Sequence, residues 1–435
     1  MVRFRMRDEL CRTDNCSGIK MSEKNISSNG KSNKFNILRY PLTFCLGIII
    51  IANLIGYIFG EETDFSDMEN RFLTKRPQVS FDALKDGSFM ETFETYAAEQ
   101  IPLRDALVKG KSAMEMLLGK CENNTIAKGE EDYLFDKCLK MDEQAHKNAA
   151  IIADFIKNCD RRVVVAIAPT STAIYEEYLP KGMPVLDEEA LFTDIKSGLE
   201  GVKNAEVVDL FRILSEKKSE GLYYKTDHHW NTKGAYYAYE AICEALDASD
   251  VGNDAGNDAV GDDAVDGAEV ETETETEAEA VPVDITALTK HEAHDFYGTF
   301  NAKYKGIGIA ADTIEYYDIP IESYEADGEL HASLYDMSKL EIYDKYAMFM
   351  YGNPGRGTIK ASNVKNGRSL IVFKDSYANC LIPFLAMNYD TIEIVDLRYS
   401  AEAVSDILDA VPDADILMLY NCSFINEDKH FYKLL

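Results

Sequence analysis

The chain has 435 residues, 46% hydrophobic and 11% aromatic, enough to bury a full core and to fill roughly two domains. Its formal net charge of −31 excludes a nucleic-acid-binding role, because phosphate recognition needs a basic face. Nine cysteines form no CxxC pair and no zinc spacing. Oxidising surroundings would permit a bridge such as Cys121 to Cys138, but spacing does not establish pairing.

Residues 1–39 carry an excess of Arg and Lys, including Arg3, Arg5, Arg7 and Arg39. The next stretch, YPLTFCLGIIIIANLIGYIFG (Tyr40 to Gly60), has no charge. About 20 apolar residues cross a bilayer as a helix. Basic residues before it and Glu61, Glu62 and Asp64 after it put the N-terminus inside and the bulk outside. The stretch is longer than a cleaved signal's apolar region and lacks a small-x-small site. The expectation is a cytoplasmic basic tail (1–39) and one transmembrane anchor (40–60), with the remainder outside a bacterial cell membrane.

Residues 61–144 read as an extended lead followed by helices, with Phe89, Phe93, Tyr96 and Ala97 at helical spacing and Pro102 as punctuation. They are expected to form a helical stalk packed on the main domain, residues 145–435. There a helix ends near Asn158, and apolar runs follow in RRVVVAIAP, AEVVDLF, SLIVFKDS, DTIEIVDL and ADILMLY. Runs of this kind suit strands buried on both faces. Separated by helical segments, they predict a parallel sheet with helices on both sides, a three-layer α/β/α sandwich. Residues 247–284 interrupt the pattern. They are acidic, have no basic residue and almost no large apolar one, so they are expected to be a disordered surface insert. Their ETETETEAEA repeat lacks the glycine turn of a calcium loop.

The segment KTDHHWNTKGAYYAY places Asp227, His228, His229 and Trp230, the only tryptophan, in succession before a helix that Asn231 or Thr232 would cap. A serine becomes a nucleophile when a base takes its proton. Histidine is the usual base near neutrality, and a carboxylate holds its tautomer. In SLIVFKDSYANCLIPF a strand (Leu370 to Phe373) runs into the turn Lys374–Tyr377 and then a helix. Ser376 would thus stand at the top of the sheet, where its own N–H could help hold an oxyanion. Ser376 and Asp375 could also serve merely as helix caps. His228 reads as a supporting residue rather than the base, and Trp230 as a packing anchor rather than a sugar platform. Arg398 is open between substrate and a carboxylate of the fold. His291 and His294 lack a full HExxH pattern and read as loop polar groups.

TDHHW resembles the signature of the DHHW family of bacterial surface proteins. The resemblance continues in ENRFL (Glu69 to Leu73), IPLRD (Ile101 to Asp105), LYDMSKLEIYDKYAMFMYGN (Leu334 to Asn353), FKDSYAN (Phe373 to Asn379), IPF (Ile382 to Phe384) and IVDLRY (Ile394 to Tyr399). It covers most of the chain after the anchor, apart from the acidic insert. That family is similar to the SGNH-type proteins that O-acetylate alginate, which carry an Asp-x-His-Trp motif upstream of a nucleophilic serine. The resemblance implies Asp227 as orienting acid, His229 as base and Ser376 as nucleophile. The motif order is permuted relative to ordinary SGNH hydrolases, and Lys374 stands where those have glycine. Asn353, Tyr377, Arg398, Trp230 and His228 are the oxyanion or substrate candidates.

The resemblance implies O-acetyl transfer, or ester hydrolysis, on a cell-surface polysaccharide through an acyl-serine. It also implies a membrane-bound O-acyltransferase partner that supplies the acetyl donor, with no cofactor or metal. A non-catalytic carbohydrate-binding scaffold is the alternative. A metal hydrolase built on Asp227, His228 and His229 is a third reading.

Overall fold

The computed structural model describes residues 40–60, 62–66, 71–138, 140–247, 281–306 and 308–435. It divides into two units, Met1–Gly60 and Glu61–Leu435. The expected basic tail and residues 248–280 of the acidic insert lie outside the described residues.

In the first unit a helix runs over Pro41–Phe59, with proline in its first turn, where a missing N–H costs nothing. Its 19 residues extend about 28 Å, just under the ~30 Å of a bilayer's hydrocarbon core. Among the described residues no helix is long and apolar enough to cross a membrane.

The second unit opens with the helices Phe81–Asp86, Ser88–Glu99 and Arg104–Leu117. Ser80 caps the first by accepting from the Ala83 N–H. The helix Ser88–Glu99 buries Tyr96 and Glu99, while Phe81, Leu107 and Leu117 stay exposed. Cys121 and Cys138 are both free thiols.

An eight-stranded sheet organises the rest. Its strands in chain order are β1 (Val163–Ala168), β2 (Ala205–Val208), β3 (Ile321–Ala326), β4 (Glu329–His331), β5 (Arg356–Ala361), β6 (Ser369–Lys374), β7 (Thr391–Val395) and β8 (Asp415–Asn421). The spatial order is β4-β3-β5-β7-β6-β8-β1-β2. The block β7-β6-β8-β1-β2 is parallel, in register Val372↔Leu417 and Leu417↔Val164. These are the strands that the apolar runs predict. The expected all-parallel sheet needs correction, because β5, β3 and β4 extend it antiparallel and the sheet is mixed. The extension lacks continuous apolar runs: in β3, Glu322 and Glu325 are exposed while Tyr324 and Ala326 are buried.

Alternate residues of a strand face opposite sides, so the parallel strands build a core on each face. On one face Val163, Val165, Ile371 and Met418 pack with Ile152, Ile156 and Ile195 of the helices Glu143–Asn158 and Glu188–Gly198. On the other, Val164, Val372 and Leu417 pack with Leu214, Tyr239 and Ile242 of the helices Leu210–Lys217 and Thr232–Asp247. The Tyr236 hydroxyl donates to the Val283 carbonyl at 3.0 Å, and the Val283 N–H donates to the Tyr239 hydroxyl at 2.9 Å. The expected insert is therefore too wide at both ends: Asp247 closes the helix before it, and Val283 is tied to that helix.

Candidate active site

The segment Leu222 to Asn231 folds back on itself. The Asn231 N–H donates to the Leu222 carbonyl at 2.9 Å, and Trp230 pairs with Tyr223 in a single bridge. The Asn231 side chain accepts from the Gly234 N–H at 3.0 Å and so starts the helix Thr232–Asp247. Trp230 is fully buried, and its Nε1–H donates to the Tyr377 carbonyl at 2.8 Å. Tyr377 reciprocates with a hydroxyl bond to the His228 carbonyl. Trp230 is thus the packing anchor of the two readings, and it ties the Asp-His-His loop to the serine turn.

Sequence separation of 147 residues closes to 2.8 Å between His229 Nε2 and Ser376 Oγ. On its far side, His229 Nδ1 lies 2.5 Å from Asp227 Oδ1, which also accepts the His229 N–H at 3.1 Å. The other carboxylate oxygen, Oδ2, accepts from Thr299 N and Oγ1 at 2.7 and 3.0 Å. Gly298 makes this approach possible: a Cβ there would lie 2.2 Å from the Asp227 Cβ. The Tyr346 ring stacks on the His229 ring at 3.8 Å and 11°, and its hydroxyl donates to the Ser376 carbonyl at 3.0 Å.

Burial pushes the His229 imidazole down to about 4; His228 adds to the effect, and Asp227 opposes it. His229 is therefore neutral at pH 7, and donating Nδ1–H to Asp227 leaves an Nε2 lone pair for the serine proton. Burial raises the Asp227 carboxyl, but the charges and hydrogen bonds of His228 and His229 outweigh it and hold the group well below the usual carboxylate range. His228 is also subject to burial, which lowers it, but Asp227 leaves it raised. Its side chain is 36% exposed, so solvent screens part of that attraction. Its Nδ1 is 2.7 Å from Thr299 Oγ1, and its Nε2 has no partner among the described residues.

Ser376 opens a short 3₁₀ helix, Ser376–Cys380, rather than remaining in a turn before a helix at Ala378. Asp375 caps it by accepting from the Tyr377 N–H at 2.8 Å. Its other oxygen accepts from Asn421 N and Nδ2 at 2.7 and 2.8 Å. Burial raises the Asp375 carboxyl to about 6. The Ser376 N–H has no acceptor among the described residues, as an oxyanion donor requires.

Lys374, fully buried, donates to Asn379 Oδ1 at 2.6 Å. It also lies 3.4 Å from Asn353 Oδ1, which accepts from Asn379 Nδ2 at 3.1 Å. Burial pushes the Lys374 ammonium down to about 8, despite Asp396. Where ordinary SGNH hydrolases have glycine, this lysine links the Asn353 loop to the serine helix. Asn353 follows three residues with positive φ, Met350, Tyr351 and Gly352, a backbone that only a surrounding framework sustains. Its Nδ2 has no partner among the described residues. Arg398 forms a two-pronged pair with Asp396, at 2.9 and 2.5 Å, so it holds a carboxylate of the fold.

A cavity of about 320 Å³ adjoins this group, bounded on the site side by His228, Thr299 and Tyr377. Asp227, His228 and His229 have ligand atoms within 4.8 Å of one another, the one metal-competent cluster among the described residues. Their Nδ1 atoms, however, are turned toward Asp227 and Thr299. His291 and His294 lie in the strand Lys290–Phe296, not in a loop, and pair with Asp318 and Thr313.

Gly298, Thr299, Tyr346, Asn379 and Asn421 were not singled out from the sequence. The GT step in FYGTF is a faint sign of close backbone approach; Tyr346 and Asn379 lie in stretches that carry the family resemblance but show no role there, and Asn421 carries no local signal.

A three-layer α/β sandwich with Ser376 after a parallel strand, and its histidine and aspartate earlier in the chain, defines an SGNH-hydrolase-like protein of permuted order. Residues 126–299 match the family described as SGNH hydrolase-like domain, acetyltransferase AlgX. That stretch includes Asp227, His229 and Thr299 and ends before Ser376. The chain is 25% identical over 179 residues to the probable alginate O-acetylase AlgJ of Pseudomonas putida, covering 39% of this chain and 46% of that protein. The match thus spans less than half of that relative's length. Its fold is similar to a DHHW family protein from Eubacterium siraeum, with TM-score 0.54, 21% identity, and coverage of 72% of this chain and 95% of that one. It is also similar to PatB1 of Bacillus cereus, with TM-score 0.54, 18% identity, and coverage of 70% and 98%. Residues 126–299 thus resemble the SGNH hydrolase-like domain, and the fold is similar to that of a DHHW family protein.

Proposed function

We propose that this chain is a membrane-anchored, extracytoplasmic O-acetyltransferase of cell-surface polysaccharide, acting through an acetyl-serine. The observation that carries the reading is His229, neutral and bridging Asp227 and Ser376 at 2.5 and 2.8 Å. Ser376 Oγ attacks the acetyl carbonyl carbon as its proton passes to His229 Nε2. The carbonyl oxygen takes the negative charge, held by the Ser376 N–H and by Asn353 Nδ2. Collapse expels the donor's leaving group, which takes the proton from His229. An acceptor hydroxyl then gives its proton to His229 and attacks the acetyl-serine, forming the new ester and restoring Ser376. Water in the acceptor's place would make the same site an esterase. Asp227 stays ionised and stabilises the imidazolium in both halves.

The anchor of this reading is the charge-free sequence Tyr40 to Gly60 after the basic stretch, whose helix Pro41–Phe59 is by itself short of a full crossing. A membrane-bound O-acyltransferase would supply the acetyl donor, and no cofactor or metal takes part.

Incubating the full chain with 4-nitrophenyl acetate and locating the acetyl group by mass spectrometry tests this. The expected adduct lies on Ser376 and is missing from Ser376→Ala. Acetylation elsewhere, or turnover abolished by a chelator, would overturn it.

A further inference from the structure

The cavity of about 320 Å³ beside His228, Thr299 and Tyr377 is at the small end of the ~300–1,000 Å³ usual for ligand pockets, room for a sugar ring rather than a long chain segment. Much of its remaining wall is neutral and polar: Ser171, Ser423, Thr170, whose hydroxyl donates to Glu188, and Asn426, whose Oδ1 accepts from the Asp142 N–H. Its two lysines are already committed. Lys137 pairs with Glu122 at 2.7 Å, and Lys303 pairs with Asp136, itself a wall residue, at 3.6 Å. His228, the remaining group able to become cationic, lies 3.5 Å from the Asp227 carboxylate. Glu427, also in the wall, has no cation within ion-pair distance among the described residues. An entering carboxylate would meet no uncommitted cation and would face Glu427, in a protein whose formal net charge is −31. A neutral sugar would meet hydroxyl and amide partners, with Phe300 as an apolar wall.

We propose that this cavity is the acceptor subsite and that it selects a neutral, hydroxyl-rich glycosyl unit over a uronate. The proposal rests on the acyl-transfer reading above. It places the acceptor on the His228 side of the site, against Tyr377, the chain neighbour of Ser376; Ser376 itself is not in the cavity wall. His228 is then an acceptor-binding residue, offering Nε2 to the sugar while Thr299 holds Nδ1.

The test is direct binding, which needs no turnover. Calorimetry on the detergent-solubilised full chain compares a neutral hexose oligosaccharide with a uronate oligosaccharide of equal length. The neutral sugar should bind at least about tenfold tighter. Ser423→Trp, at an exposed rim position, should weaken neutral-sugar binding by at least about tenfold, and Glu427→Lys should narrow the preference by a similar factor. Thermal melting of each variant separates loss of fold from loss of binding. Equal or tighter binding of the uronate overturns the proposal, as does a Ser423→Trp variant that melts normally and binds normally. Ester turnover by the unmodified chain is measured separately. Its absence would sink the catalytic reading, while the binding preference would still decide this one.

Discussion

Strands β1, β2, β6, β7 and β8 lie between two helical layers, whereas β3, β4 and β5 carry the sheet on past them in antiparallel order. The two regions divide the site. The parallel block presents Ser376 after β6 and Asn421 at the end of β8, and the loop holding Asp227 and His229 comes after β2. The antiparallel extension contributes Tyr346 and Asn353, both from the connection between β4 and β5. The groups proposed to exchange the proton thus stand on the doubly covered block, and those proposed to orient or stabilise them come from the half-exposed one. Rigid packing suits atoms that must stay within hydrogen-bond reach, while the long connection supplies shape around them.

If that division holds, the largest effects follow from the parallel side. His229→Ala and Ser376→Ala should each cut ester turnover by about a thousandfold or more, and the double variant should lose little beyond either, since they act as one unit. His228→Ala should retain far more activity than His229→Ala, because only His229 touches Ser376. Comparable losses for the two histidines would break the assignment.

On the antiparallel side, Asn353→Ala should lower kcat by about a hundredfold, the usual cost of one oxyanion donor, with KM little changed. An unchanged kcat would leave the Ser376 N–H as the donor and reduce Asn353 to a partner of Asn379.

Stability should separate the halves too. Ile371→Ala, in β6 and fully buried, should cost about 2–5 kcal/mol, read by denaturant unfolding. Thr358→Ala in β5 removes a hydroxyl that bonds Glu393 at 3.0 Å and should cost only about 1 kcal/mol. Equal costs would show the extension to be as tightly built as the block.

The smallest signal is in pH. With His229 lowered to about 4, kcat/KM should be flat through neutrality and fall as pH drops through about 4. In the unfolded chain the same imidazole protonates near 6.5. The unfolded state therefore binds the proton first as pH falls. The His229 contribution to stability is intact above about 6.5 and is progressively lost down to about 4. A turnover midpoint near 6.5 would mean that the imidazole is far better solvated than its burial implies.

The sequence by itself determined the parallel block and singled out the residues proposed to act on it. RRVVVAIAP, SLIVFKDS and ADILMLY are continuous apolar runs because those strands are covered on both faces, and such runs are visible without partners. Asp227, His229 and Ser376 were readable because their residue types stand in a short motif and on a strand-to-helix turn. The tertiary structure decided what depends on contacts between distant segments. Strand β3 has the sequence IESYEA, whose half-exposed alternation is weak, so the antiparallel extension and the mixed sheet could not be seen. Thr299 reaches Asp227 from 72 residues away, and Tyr346 reaches Ser376 from 30. Lys374, where ordinary SGNH hydrolases have glycine, acquires meaning only from Asn379 and Asn353. Hydrogen-bond partners chosen by chain crossings leave no periodicity behind, so only the folded geometry could name them.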